Sequence, residues 1–263
     1  MNLFDNIFNK RAKKRAQDEF AAALDGLGFP YEMLESGLSE AEIIERYAAE
    51  LENGKTLGFF PVLAPYEPEL FKLINRNRED GFGVKSALTS ELAEGAGLFS
   101  SRLSESEISD AEYSEFAESD EGASLSEFIS EGFSALDRFS LLFTEFTNSF
   151  RTSALIKLPT ASPWRAVLYL PFGGWNECPA PPDMAAMLKV WHEKYGAVPA
   201  VFSGDALELF LPRPLDEVSR REAAKEIVAF SGLHHPKIDE SSADFDELAK
   251  SLIGKKVWQF WWD

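Results

Sequence analysis

The closing segment VWQFWW (257–262) constrains the fold most, because its alternation places large apolar side chains on both faces of a strand. One face carries Trp258, Phe260 and Trp262, and the other carries Val257, Gln259 and Trp261. A strand with apolar residues on both sides must be covered on both sides. We therefore expect a central strand of a sheet, with an aromatic ligand box as the alternative.

The residues before this strand alternate between strand and helix patterns, in the order β-β-α-β-β-α-α-β. Strands are predicted over 154–158, 164–170, 200–203 and 206–211, with a tight turn at Gly204–Asp205. Helices are predicted from Pro182 to Gly196, over 215–230 and over 243–253. The predicted fold class is α/β (α+β): a mixed β-sheet with flanking helices, a helical N-terminal part and an acidic insertion.

The N-terminal part is predicted to contain a helix over 2–24 and a second over about 40–53. Ser39 and Glu42 have the spacing of a capping box ahead of the second helix, and Gly54 is its predicted end. The first helix carries a basic run after its apolar residues, so contact with a membrane surface is a weaker alternative to packing on its own domain.

The segment 58–64, GFFPVLA, is predicted to be a buried strand, and Pro61 favours an edge position or a bulge. Pro68 is suited to the first turn of the helix that follows. We divide the chain into an N-terminal region (1–90), an acidic Ser/Glu-rich insertion (91–124), an amphipathic helix (125–150) and a C-terminal α/β domain (150–263). The helix is proposed from the spacing of Leu125, Ile129, Leu136, Phe139, Phe143, Phe146 and Phe150.

Charge is the strongest guide to partners. The net charge is −18, and residues 91–149 alone contain 14 acidic and 2 basic side chains. Such a field repels nucleic acid and anionic membranes and steers a basic protein partner, although a merely solvated face would have the same composition. No run is long and apolar enough to span a bilayer, no signal peptide is apparent, and the single cysteine suits a reducing compartment. The expected location is cytoplasmic.

Three separated motifs point to a family. LPFGGWNECPAPPDM, LKVWHEKYGAVPAVFSGDALELFLPRP and KKVWQFWWD follow one another in the C-terminal part. In this order they resemble the domain of unknown function 4253 family, over about residues 150–263. The resemblance implies a small α/β domain, usually cytoplasmic and bacterial. Because the family has no assigned activity, it implies no catalytic residue.

The loop GGWNECP is the best candidate for a ligand site. Its candidate residues, together with two carboxylates of the hairpin region, are Gly173, Gly174, Trp175, Asn176, Glu177, Cys178, Asp205 and Glu208. Glycines allow a ligand to approach the backbone closely, and a following helix N-terminus favours anions. The alternative is a tight turn with a structural tryptophan.

Other chemistry is weakly indicated. Cys178 as a nucleophile requires a histidine, but His192 lies about four turns along the same helix. Asp205 and Glu208 could perform acid–base chemistry, although Asp205 is also an ordinary turn residue. The pair His234–His235 with Asp239 and Glu240 is the local cluster that resembles metal ligands. We expect no metal and no cofactor.

From the sequence we expect a cytoplasmic bacterial protein that acts as a protein-interaction or immunity-type binding module with an acidic surface. An enzyme is the less favoured class. The alternative is a small-molecule-binding domain or hydrolase that uses the GGWNECP loop, and a purely architectural protein is a third possibility.

Overall fold

The computed structural model describes residues 3–35, 37–83, 132–176, 178–231 and 241–262. The helices are α1 (Leu3–Leu27), α2 (Glu40–Leu57), α3 (Pro68–Glu79), α4 (Ala166–Tyr169), α5 (Pro181–Tyr195), α6 (Arg220–Ser231) and α7 (Ala243–Ser251). The strands are β1 (Tyr31–Met33), β2 (Phe60–Pro65), β3 (Phe133–Leu136), β4 (Ser153–Leu158), β5 (Val198–Phe202), β6 (Ala206–Phe210) and β7 (Val257–Trp261). Short 3-10 helices cover Ser140–Leu142 and Pro163–Arg165.

The seven strands form one mixed sheet in the order β1-β4-β2-β5-β6-β7-β3. The β2–β5 pair is parallel, and the other neighbours are antiparallel. This confirms the predicted α/β class and the central position of β7. The sheet also takes β1 and β2 from the region 1–90 and β3 from 125–150, so these segments share a sheet with the C-terminal strands.

One face of the sheet is covered by a cluster of buried aromatic side chains. The Trp191 ring of α5 stacks on Phe260 with centroids 5.5 Å apart and meets Trp258 edge-on at 5.5 Å. Phe230 of α6 contacts both Phe260 and Trp262. The face predicted to carry the larger aromatic residues of β7 is therefore the one that α5 and α6 bury.

The opposite face is covered by α2 and by the β3–β4 connection (residues 137–152). Tyr47 of α2 is fully buried and lies edge-on to Phe139 of the connection at 5.3 Å and to Phe210 of β6 at 5.6 Å. Alternation along β7 directs Gln259 and Trp261 towards this face. Gln259 donates from Nε2 to Ser140 Oγ over 2.8 Å, which fixes the connection to the sheet.

Pro61 corrects one prediction. Strand β2 is central, between β4 and β5, and is not at an edge. A proline is tolerated here because β2 and β5 share a single register pair, Leu63 with Val201. The hydroxyl of Tyr47 lies beside the open part of this seam, 3.3 Å from the Pro61 carbonyl and 3.0 Å from the Pro199 carbonyl. Pro61 keeps its register pair with Lys157 of β4, and β2 and β5 share no register pair at Pro61 that its missing N–H could interrupt.

The prediction of one amphipathic helix over 125–150 is wrong for the described part of this segment. Residues 132–150 contain β3, the 3-10 turn and a tight hairpin closed by the isolated bridge Phe143–Phe150. The phenylalanines are buried against different neighbours: Phe139 packs on Tyr47, whereas Phe143 packs on Phe150. Asn148 has a left-handed φ of 48°, which a right-handed α-helix does not allow.

Two smaller boundaries also differ from prediction. Residues 164–170 are not a strand: Pro163 opens a 3-10 turn that continues into α4, where Ala166, Val167 and Leu168 are all buried. Three successive buried residues fit a helical corner better than an alternating strand.

Helix α2 begins at the predicted capping box but passes through Gly54 and ends at Leu57, with Gly58 as its left-handed cap. Gly54 is needed for close approach instead, since an added Cβ would lie 2.3 Å from the Phe59 carbonyl oxygen. Its role is therefore packing within the helix and not helix termination.

The Tyr47 hydroxyl gives a stability prediction. We expect Tyr47→Phe to lower the free energy of unfolding by about 1–2 kcal/mol, because the Pro61 and Pro199 carbonyls lose the one hydroxyl proton that they share. The matched control is Tyr66→Phe, whose hydroxyl donates to the exposed Glu19 and whose loss should change stability by at most about 0.5 kcal/mol. Urea denaturation measures both, and equal effects would contradict the role given to Tyr47.

Candidate functional site

The GGWNECP loop is closed by its own backbone. Gly174 donates its N–H to the carbonyls of Cys178, at 3.2 Å, and Pro179, at 3.0 Å. Asn77 of α3 is buried and donates from Nδ2 to the carbonyls of Pro171 and Gly173. These bonds close the loop on itself and attach it to α3, which fits the alternative of a tight turn.

Two side chains of this loop point into the protein. Trp175 lies edge-on to Phe172 at 5.1 Å and to Trp262 at 6.4 Å. Cys178 is buried, and burial raises the pKa of its thiol well above the ordinary value. A raised thiol pKa disfavours the thiolate that a cysteine nucleophile needs. Asn176 has a left-handed φ of 43°, and Glu177 lies outside the described residues.

The two glycines of the loop should respond differently to substitution by alanine. Gly173 has φ of 107°, and an added Cβ would lie 2.0 Å from the Pro179 carbonyl oxygen, whereas nothing lies within 3.8 Å of a Cβ at Gly174. Gly173→Ala should therefore lower the free energy of unfolding by about 3 kcal/mol or more. Gly174→Ala should lower it by about 1 kcal/mol, from backbone strain alone. Thermal denaturation compares the two, and equal losses would contradict the assignment.

Asp205 and Glu208 lie in different surroundings, although they are three residues apart. Asp205 is exposed in the β5–β6 turn and accepts a hydrogen bond at Oδ2 from Trp261 Nε1 over 3.0 Å. Glu208 is fully buried beneath the β3–β4 connection. Its Oε1 accepts from the N–H and hydroxyl of Ser140 and from the N–H of Leu141. Glu208 thus caps the 3-10 turn Ser140–Leu142.

Burial raises the pKa of Glu208 from its ordinary value of 4.5 to about 7, although the hydrogen bonds from Ser140 and Leu141 lower it. Oε2 of Glu208 has no hydrogen-bond partner among the described residues. The upward shift means that the folded protein binds the proton more tightly than the unfolded chain does. Its stabilising effect is complete below about pH 4.5 and is lost as the pH rises towards 7.

Glu208→Gln tests this linkage. Between pH 4.5 and 7 the free energy of unfolding of the wild type should fall by about 3 kcal/mol relative to this variant, which cannot ionise. Glu247→Gln on the exposed side of α7 is the control and should keep the wild-type slope. Denaturant titrations at several pH values measure the slope, and identical slopes for wild type and Glu208→Gln would overturn the assignment.

A cleft of about 720 Å³ lies between the β3–β4 connection, the β5–β6 turn and the end of β7. Charged and aromatic side chains that line this cleft include Glu67, Arg138, Glu145, Phe146, Arg151, Asp205 and Trp261. Of the seven proposed residues that the structure describes, Asp205 is the one that lines this cleft, and the described residues of the GGWNECP loop do not line it.

The two arginines of the cleft are neutralised within the fold. Arg151 pairs with Glu67 at 2.5 Å and donates to the Leu141 carbonyl at 3.1 Å. The second oxygen of Glu67 accepts from Ser203 Oγ and from the Gly204 N–H, each at 2.6 Å. The Arg151 guanidinium therefore stabilises the fold and is not left as an unpaired cation.

Arg138, the other of these arginines, pairs with Glu40 and donates to Asn148 Oδ1 at 2.6 Å. Its guanidinium also lies 5.7 Å from the ring centroid of Phe143. These contacts fix the hairpin 143–150 to the start of α2.

Two carboxylates and two aromatic side chains of the cleft remain available. Within the described part of the chain, neither Asp205 nor Glu145 forms an ion pair. Phe146 is 98% exposed at the tip of the hairpin, and Trp261 is 38% exposed at the end of β7. The cleft therefore combines unpaired negative charge with exposed aromatic surface.

Sequence analysis missed most of this site. The spacing of the phenylalanines placed Phe146 on a helix stripe, and the alternation of 257–262 favoured a central strand for Trp261 over the alternative of an aromatic ligand box. The available signals were Gln259, a polar residue in a strand otherwise apolar, and the turn-forming residues around Phe146 in TEFTNS. The pairing of Arg151 with Glu67 has no such local signal.

The described residues contain no group of three or more His, Cys, Asp or Glu side chains placed to hold a metal ion. The proposed cluster of His234, His235, Asp239 and Glu240 lies outside the described residues, as does the acidic insertion 91–124. Within the described ranges no helix has the length and apolar character needed to cross a bilayer.

Comparison with known proteins supports one family. No curated protein and no solved structure matches the chain. The predicted resemblance of the C-terminal part is confirmed by a family model that begins at the second residue of β4 and includes α5, the β5–β6 hairpin and β7. Residues 154–263 match the model of the family described as Domain of unknown function (DUF4253).

Proposed function

We propose that the protein is an interaction module that captures a basic protein partner through the cleft. The observation that carries this proposal is the pair of unpaired carboxylates, Asp205 and Glu145, beside the exposed rings of Trp261 and Phe146. Aromatic side chains, tryptophan above all, are common anchors of protein interfaces, and the two carboxylates add the charge that a basic partner would match.

The exposure of Phe146 belongs to a braced hairpin. Two backbone hydrogen bonds of 2.9 Å cross the hairpin. The Thr144 N–H donates to the Ser149 carbonyl, and the Asn148 N–H donates to the Thr144 carbonyl. Arg138 fixes the Asn148 side chain from outside. Because the turn is already ordered, binding a partner at Phe146 would cost the hairpin little conformational entropy.

Charge supports the choice of a basic partner. The chain has a net charge of −18, and a field of that sign raises the rate at which a positive protein is captured. The arginines of the cleft oppose this little, since Glu40 and Glu67 neutralise them. An immunity-type role, in which the module blocks a basic toxin or enzyme in a bacterial cytoplasm, fits this chemistry.

The alternative, a hydrolase or small-molecule site at the GGWNECP loop, has less support. Cys178 is buried with a raised thiol pKa, and Trp175 packs against Phe172 and Trp262. Both glycines lie in a turn closed by backbone hydrogen bonds. These features favour a structural role for the loop.

Site-specific photocrosslinking in the native host tests the proposal. With p-benzoylphenylalanine in place of Phe146, we expect a covalent adduct with a protein of basic isoelectric point. The control places the same group at Val218, which is 87% exposed on another part of the surface, and should not give that adduct. No adduct at 146, an acidic partner, or the same adducts at both positions would contradict the proposed function.

A further inference from the structure

The turn between β5 and β6 and the end of β7 bring one carboxylate and one indole together. Ala206 pairs with Trp261 across the ladder, and the Trp262 N–H donates to the Asp205 carbonyl at 3.0 Å. The Trp261 N–H donates to the Gly132 carbonyl at 3.1 Å, which fixes the other side of β7. The backbone therefore holds both side chains on one corner of the cleft.

The Asp205 carboxylate is oriented but only partly used. Trp261 Nε1 donates to Oδ2, while the nearest donor to Oδ1 is Ser203 Oγ at 3.4 Å. The single hydroxyl proton of Ser203 is committed to Glu67, whose Oε2 is 2.6 Å away. A carboxylate can accept about four hydrogen bonds, so Asp205 keeps most of its capacity.

The charge of Asp205 is also uncompensated locally. The described residues provide it with no ion pair, because Arg151 is bound to Glu67 and Arg138 to Glu40. Beside it, the Trp261 ring is 38% exposed. An indole face next to a carboxylate attracts a cation through both the ring and the charge.

We propose that Asp205 and Trp261 form a subsite for an arginine side chain of the partner. The planar guanidinium can stack on the indole while two of its N–H groups donate to the carboxylate, which a lysine ammonium cannot do at once. Glu145 adds negative charge at the rim, and Phe146 offers apolar contact to the residues beside the arginine. This inference rests on the proposed function, since it names the group that the module recognises.

The test uses acetyl-Ala-Ala-Arg-Ala-Ala-amide as the probe, titrated into the full chain while the Trp261 indole N–H resonance is followed by NMR. We expect a saturable shift of this resonance. The same peptide with citrulline, which keeps the shape but not the charge, should give none, and the lysine peptide should bind more weakly.

Asp205→Asn is the decisive variant, because the amide oxygen can still accept from Trp261 while the charge is lost. It should weaken binding of the arginine peptide about tenfold or more. Asp244→Asn, on the exposed start of α7, removes the same charge elsewhere and should bind as the wild type does.

Three results would overturn the subsite: no saturable shift with the arginine peptide, equal binding of the citrulline peptide, or equal effects of Asp205→Asn and Asp244→Asn. The photocrosslinking experiment separates this failure from failure of the proposed function. A basic protein captured at position 146 without peptide binding at Asp205 would keep the function and reject the subsite.

Discussion

The hydroxyl of Tyr47 lies at the seam on which the rest of the architecture depends. Strands β2 and β5 join the two halves of the sheet, yet they share one register pair and each contains a proline, Pro61 and Pro199. The hydroxyl of Tyr47 is within hydrogen-bond distance of the carbonyls of both prolines. Without it, both carbonyls would lose this donor beneath α2, and a lost hydrogen bond is costly in an apolar interior.

The two faces of the sheet are covered by different kinds of contact. On one, α5 and α6 bury Trp258, Phe260 and Trp262 in a continuous aromatic core. On the other, Glu208 and Gln259 hold the β3–β4 connection by polar contacts. Tyr47, Phe139 and Phe210 add ring contacts on this second face. The cleft lies at its margin, beside the β3–β4 connection.

The errors of sequence reasoning have a common physical origin. Apolar residues three or four apart indicate a helix only if one surface buries them all, and in 132–150 Phe139 and Phe143 are buried by different neighbours. Pro61 indicates an edge only if the neighbouring ladder is complete, and at this seam it is not. Phe139 is buried by Tyr47 of α2, and the ladder beside Pro61 depends on β5. Both partners lie in distant chain segments, which local spacing does not encode.

The sequence by itself determined the α/β class, the doubly buried β7, the Ser39–Glu42 cap of α2, the β5–β6 hairpin and the family of residues 154–263. These depend on neighbours close in the chain, so local patterns carry them. Tertiary structure decided the site: Arg151 is neutralised by Glu67, and Asp205 meets Trp261 across 56 residues. Which charges are paired and which remain available depends on side chains brought together by sheet order, and no local pattern specifies that.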